Sequence, residues 1–119
     1  MDGLDIIQYT GEGYKPMVDF ESWRVAFLRY AERFDRANIH RLERHMMTDE
    51  VFVLLEGEAS LLIGENAQEI SLEKNKLYNV KKAVWHGVIV SKDALLLIVE
   101  NANTGLDNTE YMGIVYPHG

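Results

Sequence analysis

Four side chains in this sequence have the chemistry to hold a metal ion: Glu43, His45, Glu50 and His86. His45 and Glu50 are five residues apart, and His86 follows Glu50 by 36. If one strand ends near His45 and the next begins near Glu50, a tight turn brings both to one place, and His86 must arrive from a different strand pair. Two imidazoles and one carboxylate make up the ligand set of non-haem iron sites, and manganese, nickel or zinc use it as well. A lone histidine in a small domain more often satisfies its ring nitrogens with hydrogen bonds, so this spacing needs a scaffold behind it. Other chemistries are harder to place. The chain has no cysteine, which excludes disulfides, thiolate zinc sites and cysteine nucleophiles. Gly11-Glu12-Gly13 precedes no strand–helix unit, and no serine sits in a nucleophile elbow. His40 and His118 have no partner at a useful spacing and read as surface residues. No catalytic residue is assigned; Glu43 and Tyr78 are the acid–base candidates.

The elements that must position these groups read as β. Val51–Leu55 is a short apolar run of the kind a strand covered on both faces shows. Ala59–Ile63 follows, then the Gly64-Glu65-Asn66 turn, then Gln68–Leu72, which alternates as a half-buried strand does. Leu77–Val80, Gly87–Val90 and Ala94–Val99 complete the series, the last two joined by a hairpin at Ser91-Lys92-Asp93. Strand-length runs recurring about every ten residues predict an all-β sandwich or small barrel. Residues 20–36 admit two readings. Phe20, Trp23, Phe27, Tyr30 and Phe34 recur at helical steps, while Trp23, Val25 and Phe27 also alternate as a strand would. The β context favours a strand over residues 23–30.

A chain of 119 residues is one domain. It carries 12 basic against 19 acidic residues, a net charge of −7, which disfavours nucleic acid and anionic membrane surfaces as partners. No segment approaches the ~20 apolar residues of a membrane span. The acidic start, Met1-Asp2-Gly3-Leu4-Asp5, lacks the order of a signal peptide. A cytoplasmic protein is the expectation. All six arginines fall between Arg24 and Arg44, interleaved with Glu21, Glu32, Asp35 and Glu43. The simpler reading is a solvated, ion-paired face; the sharper one is an arginine that points into the barrel and clamps a carboxylate or phosphate. Trp85 and Tyr78 are candidates to wall a pocket, although Trp85, next to His86 in a strand, must face the opposite way if His86 faces inward.

At these residues the sequence resembles the cupin superfamily, the double-stranded β-helix or jelly-roll barrels. His45, Glu50 and Gly57 reproduce the second half of the first cupin motif, G-x5-H-x-H-x(3,4)-E-x6-G, and the tract Thr48–Gly57 is similar to the strand leaving it. In the second motif, G-x5-P-x-G-x2-H-x3-N, His86 matches the histidine, with Asn75, Lys81, Ala83 and Val90 at the glycine, proline, second glycine and asparagine. Ala37 stands at the first glycine of the first motif, and Glu43 replaces its first histidine. Glu43 either restores a fourth ligand or points outward. Seventeen residues separate Gly57 from Asn75, as in compact single-domain, RmlC-like cupins.

The resemblance implies a single cupin domain over 1–119, with a barrel over 21–100 between terminal extensions 1–20 and 101–119. It implies a divalent ion (Fe, Mn, Ni or Zn) on His45, Glu50 and His86, and a small polar ligand, a sugar or organic acid, inside the barrel. The activity implied is that of a metal-dependent isomerase, lyase or dioxygenase; the alternatives are a metal-free binding or sensor module and a structural relic of the fold. A homodimer is expected, because Ile6, Ile7, Tyr9, Tyr14, Tyr111, Met112, Ile114, Val115 and Tyr116 load the ends with apolar groups that can extend a neighbour's sheet.

Overall fold

Ten strands form two antiparallel five-stranded sheets in the computed structural model, which describes residues 2–116. In chain order they are β1 (Gly13–Phe20), β2 (Trp23–Arg29), β3 (Arg41–His45), β4 (Glu50–Glu56), β5 (Ala59–Ile63), β6 (Gln68–Ser71), β7 (Tyr78–Val80), β8 (His86–Val90), β9 (Leu95–Asn101) and β10 (Thr109–Gly113). One sheet runs β1-β2-β9-β4-β7 and the other β10-β3-β8-β5-β6. The fold is all-β and a jelly-roll barrel. Residues 20–36 hold the strand expected over 23–30 and then two short 3-10 turns, Glu32–Phe34 and Arg36–Asn38. The helical spacing of the aromatics there is a coincidence of two periodicities. Among the described residues no helix is long and apolar enough to cross a membrane.

The inner faces of both sheets meet in one core, with Ala26, Leu28, Phe52, Leu54, Leu61, Leu96 and Ile98 almost fully buried. Residues two apart along a strand share a face. The same alternation therefore places Glu50 and Glu100 inside at one end of the first sheet, and His45 and His86 inside on the second. A smaller cluster of Ile39, Leu42, Leu62 and Ile89 lies on the outer side of the second sheet, under Trp85, Met112, Ile114 and Tyr116.

Two expectations change. Val51–Leu55 is not covered on both faces: Phe52 and Leu54 are buried, Val51 and Val53 half-buried, and Leu55 is 42% exposed on the outer face. The strands also run from Gly13 to Gly113, beyond the barrel expected over 21–100. Pro16 sits in β1 next to a register shift, which an edge strand tolerates because its outward side needs no N–H donors. His118 and Pro117 lie outside the described residues.

The turns that stood in for motif glycines keep a glycine's backbone. Asn75 and Ala83 have φ of +67° and +66°, in the left-handed region. The Ala83 turn holds the site together, because its N–H donates to the carbonyl of His45 at 2.9 Å and ties the approach to β8 to the end of β3. A left-handed backbone costs an L-residue about 1–2 kcal/mol, and glycine recovers this less its own entropy. Ala83→Gly is therefore expected to stabilise the protein by about 0.5–1 kcal/mol. Thermal melts of the two proteins check this; a lower midpoint for the glycine variant would refute the account.

Candidate metal centre

Glu50 opens β4 with its side chain inside the barrel, and two imidazoles from the opposite sheet close on it. Its Oε1 lies 3.1 Å from His45 Nε2 and 3.0 Å from His86 Nε2. Glu43, two residues before His45 and directly opposite His86 across the β3–β8 pairing, brings its Oε1 to 3.7 Å and 3.9 Å from the same nitrogens. All four residues singled out by the sequence thus converge. The register that keeps His45 as the inward histidine is the one the strand adopts. His45, Glu50 and His86 are buried, whereas the Glu43 side chain is partly open to solvent.

The far nitrogens of the two rings are also engaged. His86 Nδ1 is 3.0 Å from the Val84 carbonyl oxygen, which only accepts, so Nδ1 carries a proton and donates. His45 Nδ1 pairs with Thr109 Oγ1 at 2.9 Å. Such outer partners set ring orientation and turn both Nε2 atoms to the centre, as metal-ligating histidines require. The donor set fits a divalent first-row ion: two imidazoles with their far nitrogens held, one buried carboxylate and a second within reach. The groups Glu43–His45–His86 and His45–Glu50–Glu100 each have one donor atom per residue within 4.8 Å of the others.

Around this cluster the structure adds residues that sequence reasoning missed. Glu100, on β9, is buried, with a carboxylate oxygen within 4.8 Å of Glu50 and His45 donor atoms. It takes hydrogen bonds from the Tyr14 hydroxyl and the Arg24 guanidinium. The signal was present in the sequence: Glu100 continues the inward alternation of Leu96 and Ile98, an unusual place for a carboxylate. Arg24 also donates to the carbonyls of Ala102 and Thr104, while its buried Nε has no hydrogen-bond partner among the described residues. The cavity over the cluster is about 400 Å³ and is lined by these groups with Leu28, Phe34, Phe52, Ile98, Thr109 and Tyr111.

The expected pocket walls are elsewhere. Trp85 faces the outer cluster, as its position beside His86 required, under the Arg44 guanidinium. Tyr78 packs on the core and accepts a hydrogen bond from the Glu73 N–H, away from this cavity, so it is not placed to serve as its acid or base. His40 is exposed, as expected, but it lines the cavity mouth.

Burial alone would raise the Glu50 carboxyl, yet the two imidazoles outweigh it and hold it well below the usual range. Burial likewise pushes the two histidines down, and Glu50 outweighs it and raises both. Burial and the neighbouring Glu50 charge raise Glu100, and burial with Glu100 raises Tyr14. A depressed carboxylate stabilises the fold above its unfolded value near 4.5, and raised imidazoles stabilise it below theirs near 6.5. Chelator-treated protein is therefore expected to gain most from this cluster between pH 4.5 and 6.5. The gain should fall away on the alkaline side as the histidines lose their protons. Thermal melts from pH 4 to 9 in a chelator, compared with His86→Ala, would read the difference.

No family model matches the sequence, and no curated protein matches it. Solved structures do. A cupin-2 domain containing protein from Shewanella frigidimarina aligns with a TM-score of 0.59 at 19% identity, over 76% of this chain and 83% of its own. Streptomyces Pac13 with uridine aligns with a TM-score of 0.62 at 7% identity, over 94% of each chain; Pac13 is described as a nucleoside dehydratase. The salicylate 1,2-dioxygenase of Pseudoaminobacter salicylatoxidans, in complex with gentisate, aligns with a TM-score of 0.58 at 17% identity, over 84% of this chain and 28% of that one. The chain has the cupin fold.

Proposed function

We propose that the protein is a metal-binding cupin that holds a divalent ion on His45, Glu50 and His86, with Glu43 as a fourth donor, and a small polar molecule in the cavity above it. The observation that carries this reading is the convergence of both Nε2 atoms on one buried carboxylate while both Nδ1 atoms are held from behind. An ion at this position supplies Lewis-acid polarisation of a ligand oxygen. The chain's own residues do the rest. Glu100, Tyr14 and Arg24 form a hydrogen-bonded group beside the cluster that can orient a polar ligand and hold a proton next to it. Leu28, Phe52 and Ile98 keep bulk water from that side. Neighbours of the same fold bound to uridine and gentisate support a small polar ligand. The activity this reading supports is of the isomerase, lyase or dioxygenase type.

With Nδ1 committed to a carbonyl, the His86 Nε2–Glu50 hydrogen bond needs a proton of its own, and a cation takes that proton's place. Metal affinity is therefore expected to fall with decreasing pH, starting above the ordinary imidazole value of about 6.5 because Glu50 raises both rings, as protons compete for them. Protein reconstituted with iron, manganese, nickel or zinc should hold near-stoichiometric metal, and His45→Ala or His86→Ala should lose most of it. Glu43→Gln separates ligand from bystander: lost metal makes Glu43 the fourth donor, retained metal does not. Elemental analysis showing no metal after all four reconstitutions would reject the centre. The leading account would then be a metal-free binding module with His45 and His86 as hydrogen-bond partners of the ligand.

The same reading includes a homodimer, supported by the outer face of the first sheet. Val18, Phe20, Trp23, Val25 and Phe27 lie there beside Leu97, Val99, Val51, Val53 and Leu55, a continuous apolar face in register across four strands. A face of this kind marks an interaction surface. The end strands pair inward with β2 and β3, and as the outer strands β1 and β10 of their sheets each keeps an outer edge to which a neighbour's strand can add. Light scattering at tens of micromolar should give twice the 13.7 kDa chain mass. Phe20→Glu with Trp23→Glu, both already exposed in one copy, should give the monomer. A monomeric mass for the unaltered protein would remove the dimer.

A further inference from the structure

Four of the six arginines are spent on carboxylates: Arg24 on Glu100, Arg29 on Glu56, Arg36 on Glu69 and Arg44 on Glu110. The other two, Arg33 and Arg41, have no ion pair or side-chain hydrogen bond among the described residues, and both line the cavity. Each guanidinium rests on an aromatic ring: Arg33 on Phe34 at 4.3 Å and Arg41 on Tyr111 at 4.0 Å, both rings also being cavity residues. Stacking of this kind fixes the plane of the guanidinium and leaves its edge N–H groups open to an acceptor.

Their place is set by the strand. Arg41, Glu43 and His45 share one face of β3 and all line the cavity, so Arg41 lies ~13 Å along the strand from His45. The cluster sits at the inner end of this row and Arg41 at the mouth. Charge points the same way. The lining holds three arginines and three glutamates, so the chain's net charge of −7 lies on residues outside the cavity. In an acidic protein the cavity is thus an island without net negative charge, and a divalent ion adds two positive charges to it.

We infer that the ligand carries a carboxylate or phosphate at the end remote from the His45–Glu50–His86 cluster, and that Arg33 and Arg41 bind that anionic end at the cavity mouth. The inference rests on the reading of the cavity as a small-molecule site and names the class of molecule it takes. Forked N–H donors match both anions.

Isothermal titration of manganese-reconstituted protein with matched probes tests it: adipate against hexanoate for a distal carboxylate, and 4-phosphonobutyrate against butyrate for a distal phosphoryl group. At least one charged probe should bind about tenfold or more tighter than its partner, and the favoured pair identifies the anion. Arg33→Gln with Arg41→Gln should erase that preference while leaving metal content and the monocarboxylates unchanged. Arg41→Lys, which keeps the charge without the fork, should retain only part of it. Equal binding within both pairs, binding of none of the four at millimolar concentration, or a preference that survives the double substitution overturns the inference. Failure of the metal reading shows separately. If no manganese is taken up, the same titrations on metal-free protein still compare charged with uncharged ends. His86→Ala, in turn, should weaken both members of a pair while leaving their ratio intact.

Discussion

A carboxylate removed from water costs several kcal/mol unless charge and hydrogen bonds are supplied in its place. Glu50 is 5% exposed, and its main compensation comes from across the barrel, from rings carried on β3 and β8. Much of the rest is arranged around that requirement. His45 must end β3 facing inward, so Arg44 faces outward and stacks on Trp85. His86 must open β8 facing inward, which forces the Lys81–Val84 turn to close tightly enough for Ala83 to reach the His45 carbonyl. Glu100, beside Glu50, brings a second carboxyl into the same region and needs Tyr14 and Arg24 from the other edge of the sheet.

This explains why the site was partly legible in the sequence. His45, Glu50 and His86 carry the cupin spacing, and their backbone supports keep the conformation of the motif even where its glycines are gone, as at Asn75 and Ala83. Glu43 could not be assigned from spacing, because a carboxylate at an alternating strand position reads equally well inward and outward. Only its place opposite His86 decides. Glu100 is separated from Tyr14 and Arg24 by most of the chain, and their meeting is a product of β9 lying beside β2 and β1 beside β2.

The fold was legible where alternation is strict and obscure where two periods overlap. The β5–β9 strands announce themselves by composition and turns. Residues 20–36 contain aromatics at both helical and strand spacing because β2 puts Trp23, Val25 and Phe27 on an apolar outer face and continues into 3-10 turns that tuck Phe34 under the barrel. The same outer face made Val51–Leu55 look doubly covered, since apolar residues fill both sides of β4 whatever lies against them. The last strand, β10, was read only as apolar load at the end of the chain; Thr109-Glu110-Tyr111 gives too short a pattern to stand as a strand without its partner β3.

The β3–β8 junction has a mechanical side. These neighbours meet at a single registered pair, Glu43 with His86, whereas β5 and β8 pair over five positions. The second sheet is therefore seamed rather than continuous. Along the seam, cohesion comes from side chains: Glu43, His45, His86 and Glu50 on the inside, Leu42 and Ile89 on the outside. Local opening follows the weakest cooperative boundary in a structure. Here that boundary is the β3–β8 edge of the β10–β3 pair, which has one registered partner against the five that hold β10 to β3. An ion or ligand held on Glu43, His45, His86 and Glu50 would bridge that seam from the inside, and its binding would oppose local opening there.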